Sequence, residues 1–154
     1  MKNKKVFFYA IIAAYFALSL FSCDTTKLKE TPIDNFIGTW ELQGREMFDG
    51  IKIKIHKTEN GEFIGNVLEI NNDKYVKMFV DSCDIWVVGI KRSSNFEFKL
   101  IEKKIANQLF SSYGLNIENE FKVQFIDENT LGLSAGNSKS TESSIIYKRV
   151  SNIE

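Results

Sequence analysis

Strict alternation of apolar and polar residues constrains the fold of this chain more than any other feature of its sequence. Residues 51–55 are Ile-Lys-Ile-Lys-Ile, residues 96–100 are Phe-Glu-Phe-Lys-Leu, and residues 121–125 are Phe-Lys-Val-Gln-Phe. Successive side chains of an extended strand point to opposite faces, so each segment has one apolar and one polar face. The pattern predicts antiparallel strands of a sheet that meets water on one side.

Turn-forming residues such as Asp49-Gly50 and Asn60-Gly61 separate the alternating segments. Short connections favour an all-β antiparallel meander, and closing it into a barrel would bury the apolar faces and remove the exposed edges. We expect eight or nine strands, at about residues 37–47, 51–57, 62–71, 74–80, 84–91, 95–101, 119–127, 130–135 and 144–150.

Residues 102–113 interrupt this pattern. Ile101, Ile105 and Leu109 recur at helical spacing, and Gly114 is a typical residue at a helix end. The segment predicts one short helix, with an irregular loop as the alternative.

The first 22 residues have the layout of an export signal. A lysine-rich start is followed by an apolar run over residues 6–21, and Ser22 precedes Cys23. The run of 16 residues is shorter than the roughly 20 that a membrane-spanning helix needs. We therefore interpret residues 1–22 as a signal peptide, residues 23–35 as a flexible tether and residues 36–154 as one folded domain.

Residues 20–23, Leu-Phe-Ser-Cys, resemble the processing box of bacterial lipoproteins. The resemblance implies that Cys23 is lipidated and carries more than one acyl chain, such as palmitate. It also implies a protein of the bacterial cell envelope, anchored to a membrane, with the periplasmic or surface face of the outer membrane as the expected place. The alternative is ordinary secretory cleavage, with Cys23 free or paired to Cys83.

Charge and composition exclude several classes of function. Without the three lysines of the signal peptide, 17 basic residues face 20 acidic ones, which gives no electrostatic case for nucleic-acid binding. Two cysteines and one histidine exclude a scaffold of several disulfides and a Cys/His zinc cluster. We expect neither a metal nor a cofactor.

Residues 36–42, Phe-Ile-Gly-Thr-Trp-Glu-Leu, resemble the opening strand of the lipocalin and fatty-acid-binding barrels, which share a Gly-x-Trp signature. Residues 145–150 resemble their closing strand. The resemblance implies a lipocalin-like (calycin-type) barrel in which Gly38 allows a tight turn, Trp40 plugs one end, and Arg149 or Lys148 covers the indole. These roles are structural.

The chain departs from the fatty-acid-binding proteins in two respects. Only residues 47–50 separate its first two predicted strands, where that family inserts a helix pair, and the family's carboxylate clamp is not traceable. The closer comparison is with small lipocalin-like envelope lipoproteins, and it brings no ligand with it.

Aromatic residues and one methionine form the candidate lining of the barrel interior. An eight-stranded barrel has an interior that side chains just fill or that holds one small ligand. A filled core and an apolar pocket therefore both remain open. The candidate residues are Phe63, Met78, Trp86, Phe96, Phe98, Phe121 and Phe125.

The leading functional hypothesis is a non-enzymatic binding protein tethered to a membrane, with a small apolar ligand in the barrel or an envelope protein on its outer face. One alternative is a structural or inhibitory lipoprotein with a filled barrel. Another is a hydrolase that uses Cys83 or a serine with His56. His56 shares the outward parity of Lys52 and Lys54, and Cys83 lies in a polar turn without a basic neighbour, so we expect no catalytic residue.

Overall fold

The computed structural model describes residues 30–150, so the predicted signal peptide and Cys23 lie outside the described range. The strands are β1 (Gly38–Gln43), β2 (Lys52–Lys57), β3 (Phe63–Glu69), β4 (Ile85–Arg92), β5 (Glu97–Lys103), β6 (Glu118–Asp127), β7 (Thr130–Ser134) and β8 (Ile146–Arg149). Helix α1 (Val76–Phe79) lies between β3 and β4, and helix α2 (Asn107–Ser112) lies between β5 and β6. Short 3-10 turns occur at Ile33–Phe36, Glu46–Phe48 and Ser140–Glu142.

The eight strands form one closed antiparallel barrel. Each strand pairs with the next along the chain, and β8 returns to pair with β1, where Trp40 lies opposite Arg149. The predicted all-β antiparallel meander that closes into a barrel is confirmed, with eight strands.

The barrel core follows the alternation in the sequence. Ile53 and Ile55 of β2 are completely buried, whereas Lys54 and His56 between and beyond them are exposed. The same period continues through β5, where Phe98 and Leu100 are completely buried. The strands therefore turn one apolar face inward and one charged face to water.

The two ends of the barrel differ because alternate connections differ in length. The β2–β3, β4–β5 and β6–β7 turns are short and lie at the end where β1 begins. We call this the capped end. The longer β1–β2, β3–β4, β5–β6 and β7–β8 connections lie at the opposite end, which we call the helix end because it carries α1 and α2.

Residues 74–80 do not form the predicted strand. The Asp73 carboxylate accepts hydrogen bonds from the backbone N–H groups of Tyr75 and Val76, at 2.8 and 3.1 Å, and so caps the start of α1. Val76 and Val80 are both buried, and a spacing of four residues places them on one face of a helix as well as of a strand. Periodicity alone therefore did not distinguish the two structures.

The helix predicted near residues 102–113 is present as α2, but it begins later. Strand β5 continues to Lys103, and Ala106 has a positive φ of 55° immediately before the helix. The chain thus leaves the sheet two residues further along than the pattern indicated.

The segment that leads into β1 is attached to the capped end. The Thr31 backbone N–H donates to the Asn95 carbonyl oxygen at 2.9 Å, Arg92 donates to the Thr31 carbonyl oxygen at 2.7 Å, and Lys57 pairs with Asp34 at 3.1 Å. The compact unit accordingly begins at Thr31, so residues 31–35 of the predicted tether belong to it.

Candidate functional site

A groove lies at the helix end of the barrel. Its volume is about 420 Å³, and it lies between α1 with the start of β4 on one side and the end of β5 with α2 on the other. Met78, Phe79, Ile85 and Leu109 supply apolar side chains to its walls, and Trp86 also lines it. Polar groups contribute more of the groove's accessible surface than these apolar side chains do, so a ligand there would meet an apolar cluster inside a largely polar surface.

A smaller recess of about 180 Å³ adjoins the groove, since Trp86, Lys103, Lys104 and Ile105 line both. The remaining wall of the recess comes from the β1–β2 connection, from α2 and from β6. Its other lining residues are Arg45, Phe48, Phe110 and Asn119.

Beside the recess, four side chains form a buried polar chain. Trp86 Nε1 donates to the Tyr147 hydroxyl oxygen at 2.8 Å, and that hydroxyl donates to Glu102 Oε1 at 2.6 Å. Arg45 Nη1 pairs with the other carboxylate oxygen, Oε2. These contacts join β4, β8, β5 and the β1–β2 connection inside the barrel. We call Trp86, Tyr147, Glu102 and Arg45 the buried polar chain.

The surroundings of Tyr147 hold its phenol neutral. The side chain is completely buried, and Glu102 beside it is only 1% exposed. Burial, followed by the charge of the Glu102 carboxylate and the hydrogen bond to it, raises the pKa of Tyr147 well above its usual value of 10.0. The hydroxyl therefore remains a donor to Glu102 across the physiological range.

Close contacts of the β1–β2 connection direct the Arg45 side chain into the barrel. Its guanidinium lies 5.0 Å from the ring centroid of Phe48 and 4.8 Å from that of Phe121. Gly44 has a φ of +78°, and a Cβ there would stand 2.0 Å from the Ser144 carbonyl oxygen. A residue with a side chain at position 44 would force this connection outward and Arg45 with it.

The three residues predicted as a structural signature meet at the capped end. The Arg149 guanidinium lies 4.2 Å from the Trp40 ring centroid and donates to the carbonyl oxygens of Asn35 and Ile37 at 2.6 and 2.9 Å. Gly38 has a φ of +142°, and a Cβ there would lie 2.5 Å from Arg149 Nη1, so a side chain at this position would strain the backbone and displace the guanidinium. The predicted packing of Trp40 against Arg149 is confirmed, whereas Lys148 is exposed.

Most of the predicted interior aromatic residues are inside the barrel, but they do not surround one cavity. Phe98 and Phe125 pack with Phe36 in edge-to-face contacts at the capped end, at 4.9 Å each between ring centroids. Phe63 is also buried. Trp86 and the half-buried Phe121 contact the Phe48–Arg45 pair at the other end. The capped half is thus filled by side chains.

Two predicted lining residues do not point inward. Met78 is 68% exposed, because α1 turns it away from the face that carries Val76 and Val80. Phe96 is 43% exposed, because the Ser94 hydroxyl accepts hydrogen bonds from the Phe96 and Glu97 backbone N–H groups and β5 begins only after this turn. Met78 nevertheless lines the groove, on its outer wall.

The histidine and cysteine considered for hydrolysis do not come together. His56 is exposed on β2, as its parity predicted, and Cys83 is an exposed free thiol before β4. The Cys83 backbone N–H donates to the carbonyl oxygen of Val67 in β3. Val67 pairs with Ile53 of β2, and His56 lies three residues, about 10 Å, beyond Ile53 along β2. The pair is not a nucleophile–base arrangement.

Sequence reasoning missed Arg45, Glu102 and Tyr147. A signal for Glu102 was present, since Phe98 and Leu100 point inward and strand parity carries this orientation on to residue 102. Within residues 30–150 no cluster of three or more metal-ligating side chains occurs. In the same range no helix has the length and apolar character to cross a bilayer.

No protein-family model, curated protein or solved structure matches this chain at a significant level.

Proposed function

We propose that this protein is a lipocalin-like envelope lipoprotein, anchored through Cys23, that binds a small ligand with an apolar part at the helix end of its barrel. The export signal and the Leu-Phe-Ser-Cys box support the anchor. The eight-stranded barrel and the packing of Arg149 on Trp40 support the lipocalin-like assignment. The proposal assigns no catalytic step.

The groove carries the proposal. Twelve large apolar residues are exposed among those that the structure describes, and four of them line this one concavity: Met78, Phe79, Ile85 and Leu109. Single exposed apolar residues are common on soluble proteins, but a concave cluster of them is typical of a ligand site. The aromatic packing in the capped half supports a site in the groove instead of at the centre of the barrel.

The two tryptophans provide the test, because Trp86 lines the groove whereas Trp40 lies at the capped end. The full chain is labelled with fluorotryptophan in phosphatidylcholine discs, the two ¹⁹F resonances are assigned with Trp86→Phe and Trp40→Phe, and 1-octanol is titrated. We expect the Trp86 resonance to shift and the Trp40 resonance to stay. A shift of Trp40 alone, or of neither residue, contradicts the proposal.

A second candidate is a structural or inhibitory lipoprotein that acts through its outer surface. The edge-to-face packing of Phe36, Phe98 and Phe125 favours it, because these rings occupy interior space that a ligand would otherwise take. This candidate predicts that neither tryptophan resonance responds to any small amphiphile.

A further inference from the structure

The recess beside the groove has a one-sided charge. Three cationic side chains line it, those of Arg45, Lys103 and Lys104, and no acidic residue does. Glu102 offsets only one of these charges, through its contact with Arg45. Glu118 lies opposite Lys103 in the β5–β6 register but does not line the recess, so the lining itself keeps an excess of positive charge that favours an anion.

Arg45 retains donors for such an anion. A guanidinium has five N–H donors, and within residues 30–150 Arg45 uses Nη1 in a hydrogen bond to Glu102. No buried side-chain nitrogen or oxygen atom of the described residues lacks a partner, so the other donors are not sealed in the core. The Phe48 and Phe121 rings hold the guanidinium in place, which lowers the entropy cost of binding.

The two lysines differ in how strongly they are already engaged. Lys104 Nζ donates to the Asn116 carbonyl oxygen at 2.8 Å and lies 5.5 Å from the Phe110 ring centroid. Lys103 is half-buried and makes no ion pair or side-chain hydrogen bond within residues 30–150. Lys103 is accordingly the cation that a ligand can engage without breaking a contact.

The acids of the wider groove lie on its other wall. Asp81 and Asp84 belong to the β3–β4 connection and line the groove but not the recess. The groove thus has an acidic side, while its continuation into the recess is basic. An anion is favoured only in the recess.

We propose that the recess binds the anionic head group of a single-chain amphiphile, of carboxylate or phosphate chemistry, while the apolar chain of that ligand lies in the groove. Lys103 and the free donors of Arg45 contact the head group, and Met78, Phe79 and Leu109 contact the chain. This inference rests on the proposed function of the groove and specifies its ligand class.

The test compares ligands that share one tail. Octanoate, octyl phosphate, 1-octanol and octylammonium are titrated calorimetrically into the full chain in phosphatidylcholine discs, with empty discs as blanks. We expect octanoate and octyl phosphate to bind about tenfold or more tightly than octanol, because charge-assisted hydrogen bonds are added to the same apolar contact. In discs that contain phosphatidylglycerol, a weaker affinity for octanoate identifies a lipid head group as the competing source, and an unchanged affinity identifies a free amphiphile.

Substitution of the lysines locates the effect. Lys103→Gln/Lys104→Gln should bring the affinity for octanoate to within about threefold of the affinity for octanol measured in the same variant. Lys54→Gln/Lys91→Gln is the matched control, since it removes the same charge from exposed strand positions and should keep the full preference. Lys103→Gln alone, which breaks no contact within residues 30–150, should reduce the preference even where the double variant fails to fold.

The outcomes separate this inference from the proposed function. Equal binding of octanoate and octanol, a preference for octylammonium, or a preference that survives Lys103→Gln/Lys104→Gln would overturn the anionic recess while the Trp86 shift still supported the groove. A Trp86 resonance that no ligand moves would overturn both.

Discussion

The hydroxyl group of Tyr147 donates a hydrogen bond of 2.6 Å to the carboxylate of Glu102 and so connects β8 to β5 through the interior of the barrel. The same hydroxyl accepts a hydrogen bond from Trp86 Nε1 at 2.8 Å. Both tyrosine and glutamate are almost inaccessible to water. Two buried polar groups, the indole N–H of Trp86 and the carboxylate of Glu102, therefore depend on one oxygen atom.

Tyr147→Phe should lower the free energy of unfolding by about 1–3 kcal/mol, because the indole N–H loses its acceptor and Glu102 loses a donor in a buried place. Urea unfolding of the parent and the variant measures the difference. Tyr113→Phe is the matched control, since Tyr113 is 75% exposed, and it should be nearly neutral. Equal losses in the two variants would show that the buried hydroxyl has no special role.

The pKa of Tyr147 predicts a dependence of stability on alkaline pH. Burial and Glu102 raise this pKa well above 10.0, whereas the phenol in the unfolded chain titrates near that value. The stability from this group is therefore complete below pH 10 and declines as the pH rises toward the folded-state pKa, by up to about 1.4 kcal/mol per pH unit. The difference in unfolding free energy between the parent and Tyr147→Phe should therefore become smaller as the pH rises above 10. If the two unfolding free energies changed in parallel with pH, the raised pKa of Tyr147 would be contradicted.

Arg45 and Glu102 should show strong energetic coupling. Either Arg45→Met or Glu102→Gln leaves a charge without its partner beside the core. Because the Arg45 side chain is 17% exposed, the expected loss lies below the ~3–5 kcal/mol of a fully buried pair. A double-mutant cycle should give a coupling energy of about 1–3 kcal/mol. The exposed pair Lys99–Glu120, treated in the same way, should give less than about 1 kcal/mol. Comparable coupling in the two pairs would argue against a buried polar chain.

Trp40→Ala should cost about 3–5 kcal/mol, because this completely buried indole also donates to the Phe36 carbonyl oxygen and supports Arg149. Thermal unfolding measures the loss. His56→Ala, on the exposed face of β2, should change stability by no more than about 0.5 kcal/mol. A parent-like melting temperature for Trp40→Ala would contradict the plug at the capped end.

Cys23→Ala should abolish acylation and leave an unprocessed or mislocalised precursor, because the thiol is the proposed site of lipid attachment. Metabolic labelling with a fatty-acid analogue, followed by membrane fractionation, measures both effects. Cys83→Ala is the control and should keep the label, since Cys83 lies in an exposed turn of the barrel. A label that persists in Cys23→Ala would remove the proposed anchor.

The barrel was predictable because alternation, turn residues and short connections all agree with one another. The segment at residues 74–80 was not, because its β-branched and aromatic residues suit a strand and the Asp73 cap is the only local sign of a helix. Phe96 was misplaced for a related reason. The side-chain hydrogen bonds of Ser94 extend the turn past Phe96, the first residue of the alternating segment.

The candidate site was less predictable, since it depends on contacts between distant segments. Arg45 and Glu102 are separated by 57 positions, and nothing in the local pattern around Arg45 indicates that its side chain enters the barrel. Glu102 followed the inward parity of β5, but the helical spacing of Ile101, Ile105 and Leu109 pointed to a helix that began there instead. The periodicity of single strands can therefore indicate an inward residue such as Glu102, but it does not indicate the partner that a distant connection supplies.

The attachment of the segment before β1 also has a mechanical consequence. Three basic side chains hold residues 31–37, and they come from three different strands: Lys57 from β2, Arg92 from β4 and Arg149 from β8. A pulling force applied through the chain before Thr31 would load these contacts before it reached the hydrogen bonds of β1. The load would be shared around the rim of the barrel, so the first strand would not be peeled from a single neighbour.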